Sequence, residues 1–211
     1  MPGGFLRRDE TIEDCAFREL KEESGITPVS LIPGDVFTLP GRDPRGWIIS
    51  HAFAGIIREE EASLRGGSDA SDAQWFALHL TDRADGRKEL TLSGQDETLR
   101  AVLEPSVTRI GQIRYRILEN QGLAFDHAAI ALGALDTLRE NALRLGLVFS
   151  FLPEKFTLSA MQKVQESLMG ETYLPANYRR KVAEQVTETE EFTTGAGHRP
   201  ARLFRRAGHH K

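Results

Sequence analysis

The chain has 211 residues, of which 40% are apolar and 27% are charged, so it has the composition of a globular protein and enough length for one large domain or two small ones. Its single cysteine, Cys15, excludes an internal disulfide, and no apolar run is long enough to cross a membrane, so we expect a cytoplasmic protein with no membrane partner. The net charge of −4 is unevenly distributed, because residues 150–211 carry 10 Lys or Arg against 7 Asp or Glu, while the remainder carries 17 against 24.

The first two thirds of the chain predict a helix, a series of strands and a second helix. Thr11 and Asp14 form a capping-box pattern at the start of a helix from Ile12 to about Glu23, which Gly25 ends. The strands follow in chain order: two around a loop at Pro40–Gly46, a short one in AQWFAL, a hairpin of KELTLSG and TLRAVLE, and one in YRILEN. The segment GLAFDHAAIALGALDTLRENALRLG then predicts a long amphipathic helix that ends near Gly146.

The last third predicts two helices and a hairpin. After LVFSFLP, an apolar connector, a helix begins at Thr157 or Ser159 and ends at Gly170. A second helix has Pro175 in its first turn. The remaining residues predict two extended arms around Gly195-Ala196-Gly197.

Three glutamates crowd onto one face of the first predicted helix. A helix turns by about 100° per residue, so the carboxylates of Glu19, Glu22 and Glu23 lie within an arc of roughly 100°. Like charges at this spacing repel one another. One alternative is a solvated acidic face, and the other is a site for a hard divalent cation, since Mg²⁺ prefers oxygen ligands and pairs with substrate phosphates.

The residues around these glutamates have a fixed spacing. They read Gly4, five residues, Glu10, seven residues, and then RELKEESGI from Arg18 to Ile26. This spacing resembles the Nudix box, GX5EX7REUXEEXGU with U aliphatic, at every fixed position. Nudix enzymes cleave a nucleoside diphosphate linked to another moiety, so the resemblance implies Mg²⁺- or Mn²⁺-dependent pyrophosphate cleavage.

The resemblance also assigns a role to each residue of the box. Glu19, Glu22 and Glu23 match the catalytic metal ligands, one of which is expected to orient or deprotonate the attacking water. The box structure is formed by a bracing pair and two glycines at tight turns, namely Glu10, Arg18, Gly4 and Gly25. Cys15, within the same helix, is expected to pack rather than to act as a nucleophile.

The segment LPGRDPRGWIISHAFAGI resembles the loop and strand of Nudix proteins that handle ADP-ribose. The resemblance implies that Arg42 and Arg45 bind substrate, at a phosphate or the terminal ribose. Asp43 is then expected to orient one of these arginines, and the alternative is an ion pair that stabilises the loop. Trp47 and Trp75 either stack on adenine or pack in the core, and we expect core packing.

The segments GLAFDHAAIALGALDTLR, LPEKFTLSAMQKVQESLMG, LPANYRRKV and GAGHRPARLFRR resemble, in that order, the winged-helix half of Nudix-related transcriptional regulators of NAD metabolism. The resemblance implies a homodimer that binds DNA through a recognition helix and a wing. The DNA-binding residues are then Asn177, Arg179, Arg180, Lys181, Arg202 and Arg205. The alternative is a helix-hairpin cap whose basic side is merely solvated.

The fold class that these resemblances imply is α+β, with a Nudix α/β/α sandwich over residues 1–147 and a winged helix-turn-helix over residues 148–211. Because the box begins at Gly4, we expect the N-terminal strands of the Nudix domain to be missing, with possible loss of activity. The expected function is Mg²⁺-dependent hydrolysis of ADP-ribose or a related nucleoside diphosphate derivative. The alternatives are an ADP-ribose-sensing repressor of NAD metabolism with little or no hydrolysis, and an inactive chain that only associates with a partner.

Overall fold

The computed structural model describes residues 1–27, 30–57, 73–193 and 200–208. The chain divides into two compact units, Met1–Thr137 and Leu138–Lys211. The domain limits expected from the sequence, 1–147 and 148–211, stay a prediction. Within the described ranges, every helix is too short or too polar to pass through a membrane.

The first helix, α1, spans Ile12–Ser24 and confirms the capping signals in the sequence. Thr11 is the N-cap, and its side chain and that of Asp14 each accept a hydrogen bond from the other's backbone N–H. Gly25 ends the helix with φ of 71°, a left-handed conformation that glycine adopts without the steric cost of a side chain. Cys15 is buried, as expected, and burial raises the pKa of its thiol, which therefore stays protonated.

The described residues of the first unit form two antiparallel sheets. One pairs β1, Ser30–Phe37, with β2, Ser50–Ile56, which confirms the two strands expected around the Pro40–Gly46 loop. The other has the order β3-β4-β5-β6, with strands at Ala77–Asp82, Lys88–Ser93, Thr98–Val107 and Ile113–Gln121.

The strand expected in AQWFAL begins only at Ala77, so that prediction is wrong in its boundary. The physical reason is pairing: Ala77 lies opposite Ser93, the last residue of β4, and the chain turns away at Gly94. The residues that precede Ala77 therefore have no partner on β4 to extend the ladder.

A second helix, α2, spans His127–Leu145 and confirms the long helix expected before Gly146. Its buried alanines and Leu132 pack with residues of β4 and β5, among them Leu90 and Leu103. Alanine side chains are small, so they let the helix approach the sheet closely.

Among its described residues, the second unit has two further α-helices and a hairpin. Helix α3 is Leu158–Met169, capped by Thr157 and ended by Gly170, and α4 is Pro175–Val182. Strands β7, Val186–Phe192, and β8, Arg202–Arg206, pair antiparallel, while the expected turn at Gly195-Ala196-Gly197 lies outside the described residues.

The segment expected to be a connector, LVFSFLP, contains a short 3₁₀ helix at Leu147–Phe151. Val148 is buried in the core of this unit with Met161, Tyr178 and Phe204. The apolar residues of LVFSFLP thus belong to a core rather than to a linker.

Candidate functional site

The candidate metal site lies on α1. Glu19, Glu22 and Glu23 are on one face of the helix, as their spacing requires. Glu23 Oε2 accepts a hydrogen bond from the backbone N–H of Gly3 at 3.3 Å. The Glu22 side chain is 53% exposed, whereas that of Glu19 is mostly buried. The face is thus accessible at Glu22 and enclosed at Glu19.

Arg18 joins this face to the loop that precedes the helix. Its Nε and Nη2 donate to the two carboxylate oxygens of Glu10 at 2.9 and 2.7 Å, which is a bidentate pair. Its Nη1 donates to Glu22 at 3.3 Å and also to Glu19. The hydrogen bonds from Arg18 lower the pKa of Glu10 from its ordinary 4.5 to about 2.

Gly4 leaves room for the Glu19 carboxylate. A Cβ atom at this position would lie 2.6 Å from Glu19 Oε2 and closer still to Oε1 and Cδ, well inside van der Waals contact. At the neighbouring Gly3, an added Cβ would meet nothing within 4 Å. The two glycines therefore differ: the chain can carry a side chain at Gly3, but at Gly4 it would displace Glu19.

The donor set of this face fits a hard divalent cation, because it offers three carboxylates, whose oxygens are hard ligands. Within the described ranges, no group of three or more His, Cys, Asp or Glu side chains is already drawn together as a metal site. Oxygens of Glu19 and Glu22 accept hydrogen bonds from Arg18 instead. Arg18 would keep its bidentate hold on Glu10 if a cation took its place at these two glutamates.

The loop between β1 and β2 is tied to the start of α2. Arg42 donates from Nε and Nη2 to the two oxygens of Asp126 at 2.7 and 2.8 Å, and from Nη1 to Ser50 Oγ at 2.7 Å. The Arg42 side chain is only 7% exposed and that of Asp126 is 17% exposed. This geometry favours the loop-stabilising alternative for Arg42, and its predicted contact with substrate stays a prediction.

Arg45, by contrast, faces solvent from a fixed position. Its side chain is 62% exposed, while its partner Asp43 is 7% exposed and accepts hydrogen bonds from Arg45 Nε and Nη2 at 3.0 and 2.7 Å. These bonds lower the pKa of Asp43 to about 2, so its carboxylate stays charged at neutral pH. The Arg45 guanidinium also lies over the Phe125 ring, 5.4 Å from the ring centroid. Arg45 is therefore the loop arginine that a ligand can reach.

The expectation that Trp47 and Trp75 pack in the core is wrong. Trp47 is 83% exposed and Trp75 is 53% exposed. Trp47 lies in the loop between β1 and β2, directly after Gly46, which has a φ of 154°. Loops of this kind run over the protein surface. His51 lies in β2, with its Nε2 3.2 Å from the Gly34 carbonyl oxygen.

The candidate DNA-binding residues are all exposed in the second unit. Helix α4 carries Asn177, Arg179, Arg180 and Lys181, and β8 carries Arg202 and Arg205. Arg180 donates to Asn177 Oδ1 at 2.5 Å, and the Lys181 ammonium lies 4.6 Å from the centroid of the Tyr173 ring. These contacts hold the side chains on the surface without burying their charge.

Glu188, on β7, is a residue that the sequence patterns did not single out. Its two carboxylate oxygens accept one hydrogen bond each from Arg179, at 3.4 Å, and from Arg202. It therefore links the candidate recognition helix to the candidate wing. Asp126 and Phe125 in the first unit were missed as well, since their partners lie far away along the chain.

Comparisons with known proteins match two different domain families to the two ends of the chain. The chain matches the model of the NUDIX domain over residues 1–93 and the model of the NrtR DNA-binding winged helix domain over residues 148–206. It is 40% identical over 79 residues to an ADP-ribose pyrophosphatase of Methanocaldococcus jannaschii, an alignment that covers 37% of this chain and 46% of that protein. It is 26% identical over 208 residues to the ADPR responsive transcriptional repressor NtrR of Acinetobacter baylyi, covering 97% of this chain and 68% of the repressor. The chain thus spans about half the length of the pyrophosphatase and about two thirds of the length of the repressor.

Solved structures confirm the fold. A MutT/nudix family protein from Enterococcus faecalis superposes with a TM-score of 0.72 at 27% identity, over 98% of this chain and 72% of that one. NrtR of Shewanella oneidensis gives a TM-score of 0.58 at 23% identity, over 98% of this chain and 78% of that one. The same protein in complex with a 27mer DNA gives 0.57 at 22% identity, with the same coverage. The expected α+β class, a Nudix domain with a C-terminal winged helix, is confirmed.

Proposed function

Because the chain carries a Nudix domain followed by an NrtR-type winged helix domain, we propose that it hydrolyses the pyrophosphate of ADP-ribose, or of a related nucleoside diphosphate derivative, on a chain that also binds DNA. The observation that carries the proposal is the glutamate face of α1, complete at Glu19, Glu22 and Glu23 and bordered by Gly4. The 40% identical relative named as an ADP-ribose pyrophosphatase supports the choice of substrate.

In this proposal, Glu19, Glu22 and Glu23 hold Mg²⁺ or Mn²⁺. When bound, the cation neutralises charge on the pyrophosphate and activates the attacking water. Arg18 holds the helix against the preceding loop through its two hydrogen bonds to Glu10. Arg45 supplies a fixed positive charge at the substrate, while Arg42 holds the loop on which Arg45 sits.

The test is turnover of ADP-ribose with Mg²⁺, measured as release of AMP and ribose phosphate. We expect Glu22→Gln and Glu23→Gln to lower kcat by orders of magnitude with the fold intact, because the helix loses repulsion rather than packing. Glu13→Gln is the control, since Glu13 lies on the same helix outside the carboxylate arc. Wild-type rates in both active-face variants would rule out this face as the catalytic site.

A second candidate function is an ADP-ribose-sensing repressor of NAD metabolism that turns over little or none of its ligand. It is favoured by the likeness to the ADPR responsive repressor, which extends over 97% of this chain. The exposed basic residues of α4 and β8 support DNA binding. The chain would then act as a homodimer in the cytoplasm, on a roughly palindromic site.

The two DNA-facing elements are expected to act differently. Arg180→Ala, on α4, should cost about 1–3 kcal/mol at one base position and relax specificity. Arg205→Ala, on β8, should weaken binding to all sequences about equally and lower the salt slope by about one unit. Arg87→Ala, at a half-buried arginine of the first unit, is the control.

Fluorescence titration against promoter DNA of NAD-biosynthesis genes, at several salt concentrations, separates the two roles. ADP-ribose added to the preformed complex should release the DNA if the chain is a sensor. Equal affinity for promoter DNA and for random duplex would contradict the repressor function, and hydrolysis would remain as the proposed function.

A further inference from the structure

Phe125 has a backbone conformation that its residue type does not favour. Its φ is 47°, and among the residues that the structure describes it is the one non-glycine with positive φ. Bulky residues are rare in this region, because Cβ crowds the backbone, and such outliers gather at ligand sites. The ring gains little from burial, since the residue is 47% exposed. Core packing therefore does not explain why the chain holds a phenylalanine here.

The chain around Phe125 is fixed on both sides. On one side, Asn120 donates from Nδ2 to the Leu123 carbonyl at 2.8 Å and accepts from the Leu123 N–H at 3.1 Å. On the other side, Asp126 is held by the bidentate pair with Arg42. The unfavourable conformation is thus imposed by its neighbours.

The result of this conformation is a ring placed under Arg45. The Arg45 guanidinium lies 5.4 Å from the Phe125 ring centroid, and it also donates to Oδ1 of the buried Asp43 from Nε and to Oδ2 from Nη2. His127 contacts the same ring edge-on, with centroids 5.9 Å apart. One carboxylate and one aromatic face thereby restrain an exposed side chain that has several rotatable bonds.

We propose that Phe125 is a positioning residue for ligand binding: its ring holds the Arg45 guanidinium in the orientation that receives a phosphate of a nucleoside diphosphate. The proposal rests on the proposed function, because it takes the loop Gly41–Gly46 as the ligand loop. Binding then costs less entropy, since Arg45 is ordered before the ligand arrives. The strained backbone at Phe125 is the stability cost of that order.

The second unit offers a matched comparison. Phe192 is 46% exposed, and the Arg202 guanidinium lies 5.3 Å from its ring centroid. The two rings have nearly the same exposure and the same distance to a guanidinium, but Phe192 has ordinary φ and its arginine lies outside the loop Gly41–Gly46. Removal of either ring deletes one exposed cation–π contact, but only removal of the Phe125 ring should change ligand affinity.

The experiment is calorimetry with ADP-ribose on the full chain, together with steady-state kinetics. Phe125→Leu should weaken binding by about two- to fivefold, the range expected for an exposed cation–π contact, and raise KM with kcat unchanged. Phe125→Tyr keeps the ring and should restore affinity, whereas Phe192→Leu should leave it unchanged. Thermal melts check that each variant is folded.

A double-variant cycle identifies the route of the effect. If Phe125 acts through Arg45, then Phe125→Leu should add no further loss to Arg45→Leu. Additive losses, or unchanged affinity in Phe125→Leu, would overturn the positioning role while the proposed function stands. A wild-type chain that does not bind ADP-ribose would overturn both.

Discussion

Replacement of Gly4 by alanine tests the glutamate face without touching a charged residue. The added Cβ would lie 2.6 Å from Glu19 Oε2, whereas ordinary contact begins at 3.4 Å, so the carboxylate must retreat by about 0.8 Å at this atom and by more at Oε1. A misplacement of about 1 Å at a reacting centre costs on the order of 10²-fold in rate. We therefore expect Gly4→Ala to lower kcat for ADP-ribose about 100-fold, which is about 2.7 kcal/mol of activation free energy.

Gly3→Ala is the matched control for this prediction, since a Cβ at Gly3 meets nothing within 4 Å. Neither glycine has positive φ, so alanine adds no backbone strain at either position, and the melting temperatures of both variants should stay near wild type. The assay is Mg²⁺-dependent turnover of ADP-ribose at saturating substrate. Equal rates in the two variants would refute the reasoning, because they would mean that the position of Glu19 does not matter to catalysis.

Two further predictions concern ion pairs of the first unit. Asp126→Asn should cost about 3 kcal/mol or more in urea unfolding, because it leaves the buried Arg42 charge without its partner, and the double replacement Arg42→Met with Asp126→Leu should recover much of that loss. Glu10 has a pKa of about 2 in the folded chain and 4.5 ordinarily, so its pairing with Arg18 stabilises fully above about pH 4.5 and is lost as pH falls toward 2. Glu10→Gln should therefore flatten the acid limb of the Tm-against-pH curve, and an unchanged limb would contradict the assignment.

Local signals in the sequence predicted the elements well. The caps at Thr11, Gly25 and Gly170 depend on residues within one turn, so their pattern is visible in a short window. The spacing of the Nudix box likewise places Glu19 and Glu22 on one face, whatever the tertiary structure.

Features made by distant residues were not predictable in this way. Arg42 and Asp126 are 84 residues apart, and nothing near either one indicates the pair. Phe125 has a positive φ, which is typical of glycine, so its residue type gave no indication of a turn at this position. Trp47 was expected in the core because aromatic residues usually bury large area, but its loop holds it in solvent.

Helix α2 runs from His127 to Leu145, whereas the limit between the two compact units falls between Thr137 and Leu138. A cut at that limit would divide the 19 residues of the helix into pieces of 11 and 8. Both pieces are shorter than the roughly 12–15 residues below which an isolated helix is marginal in water. We therefore expect each half to fray at its cut end, and separate expression of the two units, or their exchange between proteins, to work best when one of them takes the whole helix.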